Sequence, residues 1–377
     1  MLIHTLPTND PVHKYEKCLV IPFTGTRTVL STSPLNGGYQ ESLTAVFNND
    51  INPGSGMECQ LCAPTYREHL ACMAEKLGLD ATTAAGMVTA ASMDNVSIKT
   101  AHAGDLYVTA VVTGGIDING GRAGDPASWN EAEDLVCPVS AGTINIFLFF
   151  NCNLTKGALT RSLVTCTEAK TAALQELIAP SRSSMGIATG SGTDDTILVC
   201  DPQSPLCLTN AGKHSKLGEL IATAVKAAVK EALFLQTGLS PQRQHHVLQR
   251  IDRFGITEDT LWNLYRSEKG SLTRADFSEK LHQLCQKDTL VMSVSLYVHL
   301  MDQLIWGMAS EKEATEMGLH LLADMTHAEP NSAGSHTTAG DSQPSSGIQQ
   351  MIRNLSVSLI RLLSEEEHAS KKGLPKP

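Results

Sequence analysis

Hydrophobic positions over the first 238 residues recur with two alternating periods. Short apolar, β-branched runs at 19–23, 28–31, 43–48, 86–91 and 106–113 have the period and length of strands. The run at 143–150, Thr-Ile-Asn-Ile-Phe-Leu-Phe-Phe, is apolar almost throughout, which predicts a central strand covered on both faces. Runs at 186–189 and 196–200 predict two more strands joined by a glycine-rich turn. Between these the spacing lengthens to that of helices. An amphipathic segment at 66–77 stops at Gly78. Leu159, Leu163, Cys166, Ala173 and Leu177 form one stripe of a helix at 155–178, and 215–236 predicts a second long helix. The order is that of an α+β (or α/β) fold, a mixed β-sheet covered by long helices.

Gly238-Leu239-Ser240-Pro241 closes that pattern, because Gly ends a helix and Pro can open the next. From 239 to 327, Leu248, Ile251, Leu261, Leu264, Leu281, Leu284, Leu296, Leu300 and Leu304 recur at helical spacing and predict a small all-α extension. Residues 328–347 are rich in Ser, Gly, Pro and Thr with no apolar face, as in a flexible linker. Residues 348–366 can form one last amphipathic helix before the tail at 377. The expected division is therefore 1–238, 239–327, 328–347 and 348–377.

Hydrophobic residues are 42% of the chain, enough for a sizeable core, while aromatics are only 5%. A net charge of −10 repels phosphate backbones and anionic membranes, so neither nucleic acid nor membrane is expected as a partner. No apolar run approaches ~18 residues, and the N-terminus shows no basic and apolar leader, so a cytoplasmic location is expected. The ten cysteines then read as small core residues. Cys59-x-x-Cys62, with His69 and Cys72 nearby, has no second pair at zinc spacing, so no metal site is expected.

Phosphate-loop, nucleophile-elbow, His-Glu-x-x-His and dinucleotide-fingerprint motifs are all missing. Five polar clusters remain. Asn36-Gly37-Gly38 follows a strand and allows a tight turn or close approach to a ligand. Thr143 and Asn145 share one face of the apolar strand, where an amide must be hydrogen-bonded, to the protein or to a ligand. Glu168 and Lys170 lie mid-helix with no opposite charge three or four residues away. Thr189-Gly190-Ser191-Gly192-Thr193 is a hydroxyl-rich glycine loop ending in Asp194 and Asp195. His214 precedes a helix N-terminus capped by Ser215, where the dipole favours the neutral imidazole that a general base requires.

In order along residues 14–235, these clusters together with Leu30-Ser31-Thr32, Val88-Thr89-Ala90-Ala91, Ala110-Val111-Val112-Thr113-Gly114-Gly115 and Leu217-Gly218-Glu219-Leu220 resemble the adenosylcobinamide amidohydrolase family. Ser191, where Thr is expected, and Lys213 depart from the pattern. The resemblance implies hydrolysis of the aminopropanol amide of adenosylcobinamide to adenosylcobyric acid, a salvage step toward cobalamin. The corrinoid is then the substrate and no cofactor is expected; the Asp-x-His-x-x-Gly motif of cobalamin cofactor domains is missing. Amide hydrolysis needs a base, an oxyanion donor and an acid for the leaving amine. The residues chosen for that chemistry are His214 as base on water, Asp194 to orient it, Glu168 as second base, and Thr193 as oxyanion donor or nucleophile. Asn36, Gly37, Gly38, Thr143, Asn145, Lys170, Thr189, Gly190, Ser191 and Gly192 are the expected substrate contacts. An amidase acting on a different amide and a corrinoid-binding protein without hydrolysis are the alternatives. A homo-oligomer, or a partner held by the helical extension, is left open.

Overall fold

The structure, a computed structural model, describes residues 1–54, 57–130, 132, 142–326 and 346–372, the last seven as backbone only. Two compact units, Met1–Ser240 and Pro241–Pro377, make up the chain.

In the first unit the strands are β1 (Leu2–Thr5), β2 (Pro11–Lys14), β3 (Cys18–Pro22), β4 (Thr28–Ser31) and β5 (Gly38–Gln40). They continue with β6 (Ala45–Asp50), β7 (Ala84–Thr89), β8 (Ser97–Ala103), β9 (Leu106–Gly115) and β10 (Gly120–Gly121). The last are β11 (Thr143–Phe150), β12 (Asn153–Leu154), β13 (Gly190–Ser191), β14 (Thr196–Cys200) and β15 (Cys207–Leu208). Its helices are α1 (Tyr66–Lys76), α2 (Lys156–Glu176) and α3 (Lys216–Thr237).

Two mixed sheets pack face to face in this α+β unit. One has the order β1-β2-β3-β6-β7 and the other β5-β4-β14-β11-β9-β8. Only β6–β7 and β11–β14 are parallel within them. Val46, Ile21 and Met87 of the first sheet meet Phe147, Phe149 and Val199 of the second in one core. The alternate residues Ile144, Ile146, Leu148 and Phe150 face a second core under α2 and α3. Strand β11 is thus covered on both faces, as its unbroken apolar run requires. On the outer face of the first sheet, α1 buries Leu70 and Ala74 against Phe47 and Val88.

Local chemistry sets the helix ends. Thr65 and Glu68 form a reciprocal capping box at α1. Ser215 accepts from Gly218 N at the start of α3, and Gly238 in the left-handed region ends it. The hairpin expected between 186–189 and 196–200 does not form: β13 pairs with β10, and β14 lies between β4 and β11. Strand β14, buried at Ile197, Leu198, Val199 and Cys200, has apolar partners on both edges. The hydroxyl-rich residues before it instead bond among themselves and to Asp194, which curls them into a loop.

The second unit contains α4 (Val247–Ile251), α5 (Glu258–Ser267), α6 (Arg274–Cys285), α7 (Asp288–Ile305), α8 (Glu311–Thr326) and α9 (Gly347–Lys372). Within it α9, set apart by the sequence reading as a C-terminal helix, packs on α5 to α8 and buries Met351, Leu355, Leu359 and Leu363. Asp302 of α7 holds Arg253 through two hydrogen bonds of 2.6 and 2.7 Å in the interior. Apart from residues 346 and 347, the expected linker 328–347 lies outside the described residues.

Candidate active site

At one end of the sandwich, β4, β6 and β7 finish where β11 and β14 begin. A cavity of about 330 Å³ opens there between the two sheets. Thr32, Ile51, Val88, Thr89 and Ala90 come from the finishing ends, and Thr143, Asp194 and Asp195 from the starting ends. Tyr66 of α1 and Pro34 complete an apolar wall. A second, larger cavity of about 880 Å³ lies across the glycine loop. Gly192 and Thr193 border both.

The glycine loop is held by Asp194. Its Oδ1 accepts from Ile144 N at 2.8 Å and Ser191 Oγ at 2.7 Å, and its Oδ2 accepts from Ser191 N at 3.0 Å and from Lys170 Nζ. The Lys170–Asp194 pair is nearly buried. It joins α2 to the loop and answers the question raised by the unpaired lysine of the sequence: its partner is tertiary. Gly190 leaves the room for it, since a Cβ there would fall on Asp194 Oδ2 and Lys170 Nζ. Thr189 ties the loop to its neighbours, its Oγ1 accepting from Ala123 N at 2.9 Å and its carbonyl from Thr171 Oγ1 at 3.2 Å.

Asp195 is the residue that the sequence reading passed over. It lines the smaller cavity, and Thr32 Oγ1 donates to its Oδ1 at 2.7 Å. The Thr32 oxygen itself accepts from Thr196 N at 3.0 Å, which leaves its proton aimed at the carboxylate. Burial pushes the Asp195 carboxyl up to about 6; the Thr32 hydrogen bond opposes this and the neighbouring Asp194 charge adds to it. A carboxyl raised this far, at the wall of a cavity, is a base poised near neutral pH. The signal in the sequence was the Asp194-Asp195 doublet after a glycine loop. Which of the two holds the loop and which faces the cavity is decided by tertiary contacts.

Other expected residues take different places. Asn145 is buried, with both amide atoms engaged: Nδ2 donates to Asn48 Oδ1 and Val88 O, each at 2.9 Å, and Oδ1 accepts from Thr143 Oγ1 at 3.2 Å and Asp195 N at 3.3 Å. Through that last bond it grips the Asp195 backbone. Thr143 reaches the cavity while donating to Thr193 O at 2.6 Å, and Thr193 Oγ1 donates to Gly142 O at 3.1 Å. Asn36, Gly37 and Gly38 form a turn outside both cavities; Asn36 Nδ2 donates to Ala81 O and Ala84 O at 2.8 Å, and a Cβ on Gly37 would fall on the Ser33 carbonyl. His214 is exposed and lines neither cavity, and the oxygens of Asp194 that were to orient it are taken by Lys170, Ser191 and Ile144 N. Glu168, also exposed, accepts from Lys213 Nζ at 3.0 Å.

Among the described residues, no group of three or more His, Cys, Asp or Glu stands ready to hold a metal ion. In the Cys-x-x-Cys segment, Cys62 Sγ lies 3.1 Å from His69 Nδ1, and His69 Nε2 lies 2.8 Å from Asn49 Oδ1. Burial lowers the His69 pKa. Nine cysteines are free thiols, five of them buried, and Cys137 lies outside the described residues. Burial lifts Cys152 and Cys166 to about 12, which makes them inert core groups. No helix among the described residues is long and apolar enough to cross a membrane.

Comparison with known proteins adds a family. The sequence pattern of the family described as adenosylcobinamide amidohydrolase matches residues 3–241. An uncharacterized protein of Methanocaldococcus jannaschii is 34% identical over 244 residues, which cover 62% of this chain and 91% of the relative. A protein of Methanosarcina mazei named adenosylcobinamide amidohydrolase is 28% identical over 237 residues, covering 59% of this chain and 98% of the relative.

Proposed function

The chain belongs to the adenosylcobinamide amidohydrolase family, and from that premise we propose that it hydrolyses the aminopropanol amide of adenosylcobinamide, giving adenosylcobyric acid and free aminopropanol. The observation that carries the chemistry is Asp195, a cavity-facing carboxyl raised to about 6 and held by the Thr32 hydroxyl.

In the proposed reaction, Asp195 takes a proton from water as the water oxygen bonds to the amide carbon. The carbonyl electrons move to the oxygen. The Lys170 ammonium, fixed by Asp194 beside the loop that borders both cavities, is the donor assigned to that oxyanion. Protonated Asp195 then gives its proton to the amide nitrogen, the C–N bond breaks, and the amine leaves. The corrin side chain keeps the new carboxylate. A positioned acid–base group of this kind is worth about 10²–10⁴-fold in rate. The base role that sequence reading gave to His214 passes to Asp195, because His214 is exposed outside both cavities.

The test is incubation of the full chain with adenosylcobinamide. Release of aminopropanol in step with an acidic corrinoid product supports the proposal. Binding without release supports the non-catalytic carrier instead, and neither binding nor release overturns the corrinoid reading.

A further inference from the structure

We propose that the larger cavity is the seat of the corrin ring, with Trp129 and Ile118 forming its apolar floor, while the aminopropanol arm crosses Gly192 and Thr193 into the smaller cavity. This inference rests on the hydrolase reading above and assigns the parts of its substrate to the two cavities.

Ligand sites span about 300–1,000 Å³, and the two cavities, at about 330 and 880 Å³, stand at opposite ends of that range. A corrin is a broad, flat macrocycle fringed by amide arms, so it belongs in the larger space. A single linear arm suits the smaller one, where Asp195 stands. The border residues fix the path between them. Gly192 and Thr193 face both cavities, and a Cβ on Gly192 would meet nothing, so the passage there is open. An arm passing this point leaves the cavity that Lys170 lines and enters the one that Asp195 lines.

The lining matches the ring's chemistry. A flat conjugated ring needs an apolar surface under its face. Ile118 is 70% exposed and Trp129 is 38% exposed, and both line this cavity. Exposed hydrophobics are common on this surface, but these two lie on a concave wall, where they offer apolar area to a ligand. Trp129 is also the single tryptophan of the first unit, the others being Trp262 and Trp306. Indole offers a wide, stiff face at little cost in side-chain entropy. Around this floor stand neutral or anchored polar groups. Thr167 and Thr171, whose protons go to Leu163 O and Thr189 O, present hydroxyl oxygens as acceptors, Ser183 adds a hydroxyl, and Arg122 is fixed by donating from Nη1 to Ile187 O at 3.0 Å. Such a rim suits neutral carboxamides, which both donate and accept hydrogen bonds.

The experiment uses the full chain carrying Asp195→Asn, which keeps the substrate intact, and measures its Kd for adenosylcobinamide by equilibrium dialysis. Adding Trp129→Ala is expected to weaken binding about tenfold or more, the size of a central aromatic contact. Ile118→Asn, at an exposed position, is expected to weaken it about threefold with no change in melting temperature. In the active chain, Trp129→Ala should raise KM by the same factor and leave kcat within about twofold. Unchanged Kd in both variants, with the Asp195→Asn chain binding normally, overturns the corrin seat and leaves the hydrolase reading standing. An Asp195→Asn chain that binds no corrinoid, together with a wild-type chain that releases no aminopropanol, overturns both.

Discussion

The Asp195 carboxyl carries a cost in stability that can be measured. Its pKa rises from 3.8 to about 6 in the folded chain, mainly through burial, so the native state holds its proton more tightly than the unfolded chain does. Native stability therefore falls as pH climbs from about 4 to about 6, and stays lower above that. Asn cannot ionise and can still accept from Thr32. The Asp195→Asn chain is thus expected to melt higher than wild type at pH 8, by roughly the ~2–4 °C that 1 kcal/mol is worth in a unit of this size, and level with it below pH 4. Thermal scans at the two pH values check this; equal melting at pH 8 would remove the buried charge from the account. Asn145 is the opposite case. Asn145→Ala leaves Asn48 Oδ1, Val88 O and Asp195 N without their partner, each at a cost of about 1–3 kcal/mol. A fall of more than ~5 °C in Tm is expected, with activity lost in step with folded protein. Full stability with lost turnover would instead make it a ligand contact. His214→Ala is expected to keep turnover within about threefold, whereas a loss of ~100-fold would return the base role to that imidazole.

Elements explain which parts of this site could be read from sequence. Strand β11 was legible because a run that is apolar at six of its eight positions, on both faces, has one solution, a central strand between two cores. Strands β1, β2 and β8 were not: Leu2–Thr5, Pro11–Lys14 and Ser97–Ala103 are short or carry His, Lys and Thr on a half-exposed face, so their apolar signal is weak. The segment from Gly212 to Gly218 was legible as a cluster, and the structure places its His214 on the exposed side, outside both cavities. A Cβ on Gly218 would fall on the Gly212 carbonyl, so its glycines let the loop close over the start of α3. The glycine loop before β14 was legible as a polar cluster, and it borders both cavities, but its pairing with Lys170 was not, because Lys170 arrives from α2, 24 residues away. That pairing makes a sharp prediction. Gly190→Ala pushes a methyl group onto Asp194 and Lys170, and kcat is expected to fall at least ~10-fold with the melting temperature changed by only a few degrees. Steady-state kinetics beside a thermal scan decides it; unchanged kcat would separate the ion pair from turnover.

At the scale of the molecule, among the described residues both cavities are lined by the first unit alone, and the family match ends at residue 241. The first unit has its own cores between and outside the two sheets. A chain of residues 1–240 is therefore expected to be soluble and to release aminopropanol from adenosylcobinamide at close to the full-length rate. A soluble but inactive fragment would give the helical unit a part in the chemistry. The proposed hydrolysis depends on one carboxyl acting as a base, and the pH dependence of kcat/KM for aminopropanol release tests it most directly. A base works only when ionised, so the account predicts a rate that climbs through a midpoint of about 6 in the full chain, and an Asp195→Asn chain at least ~100-fold slower with that rise gone. A profile flat between pH 5 and 7, or one that keeps its rise after Asp195→Asn, would contradict it.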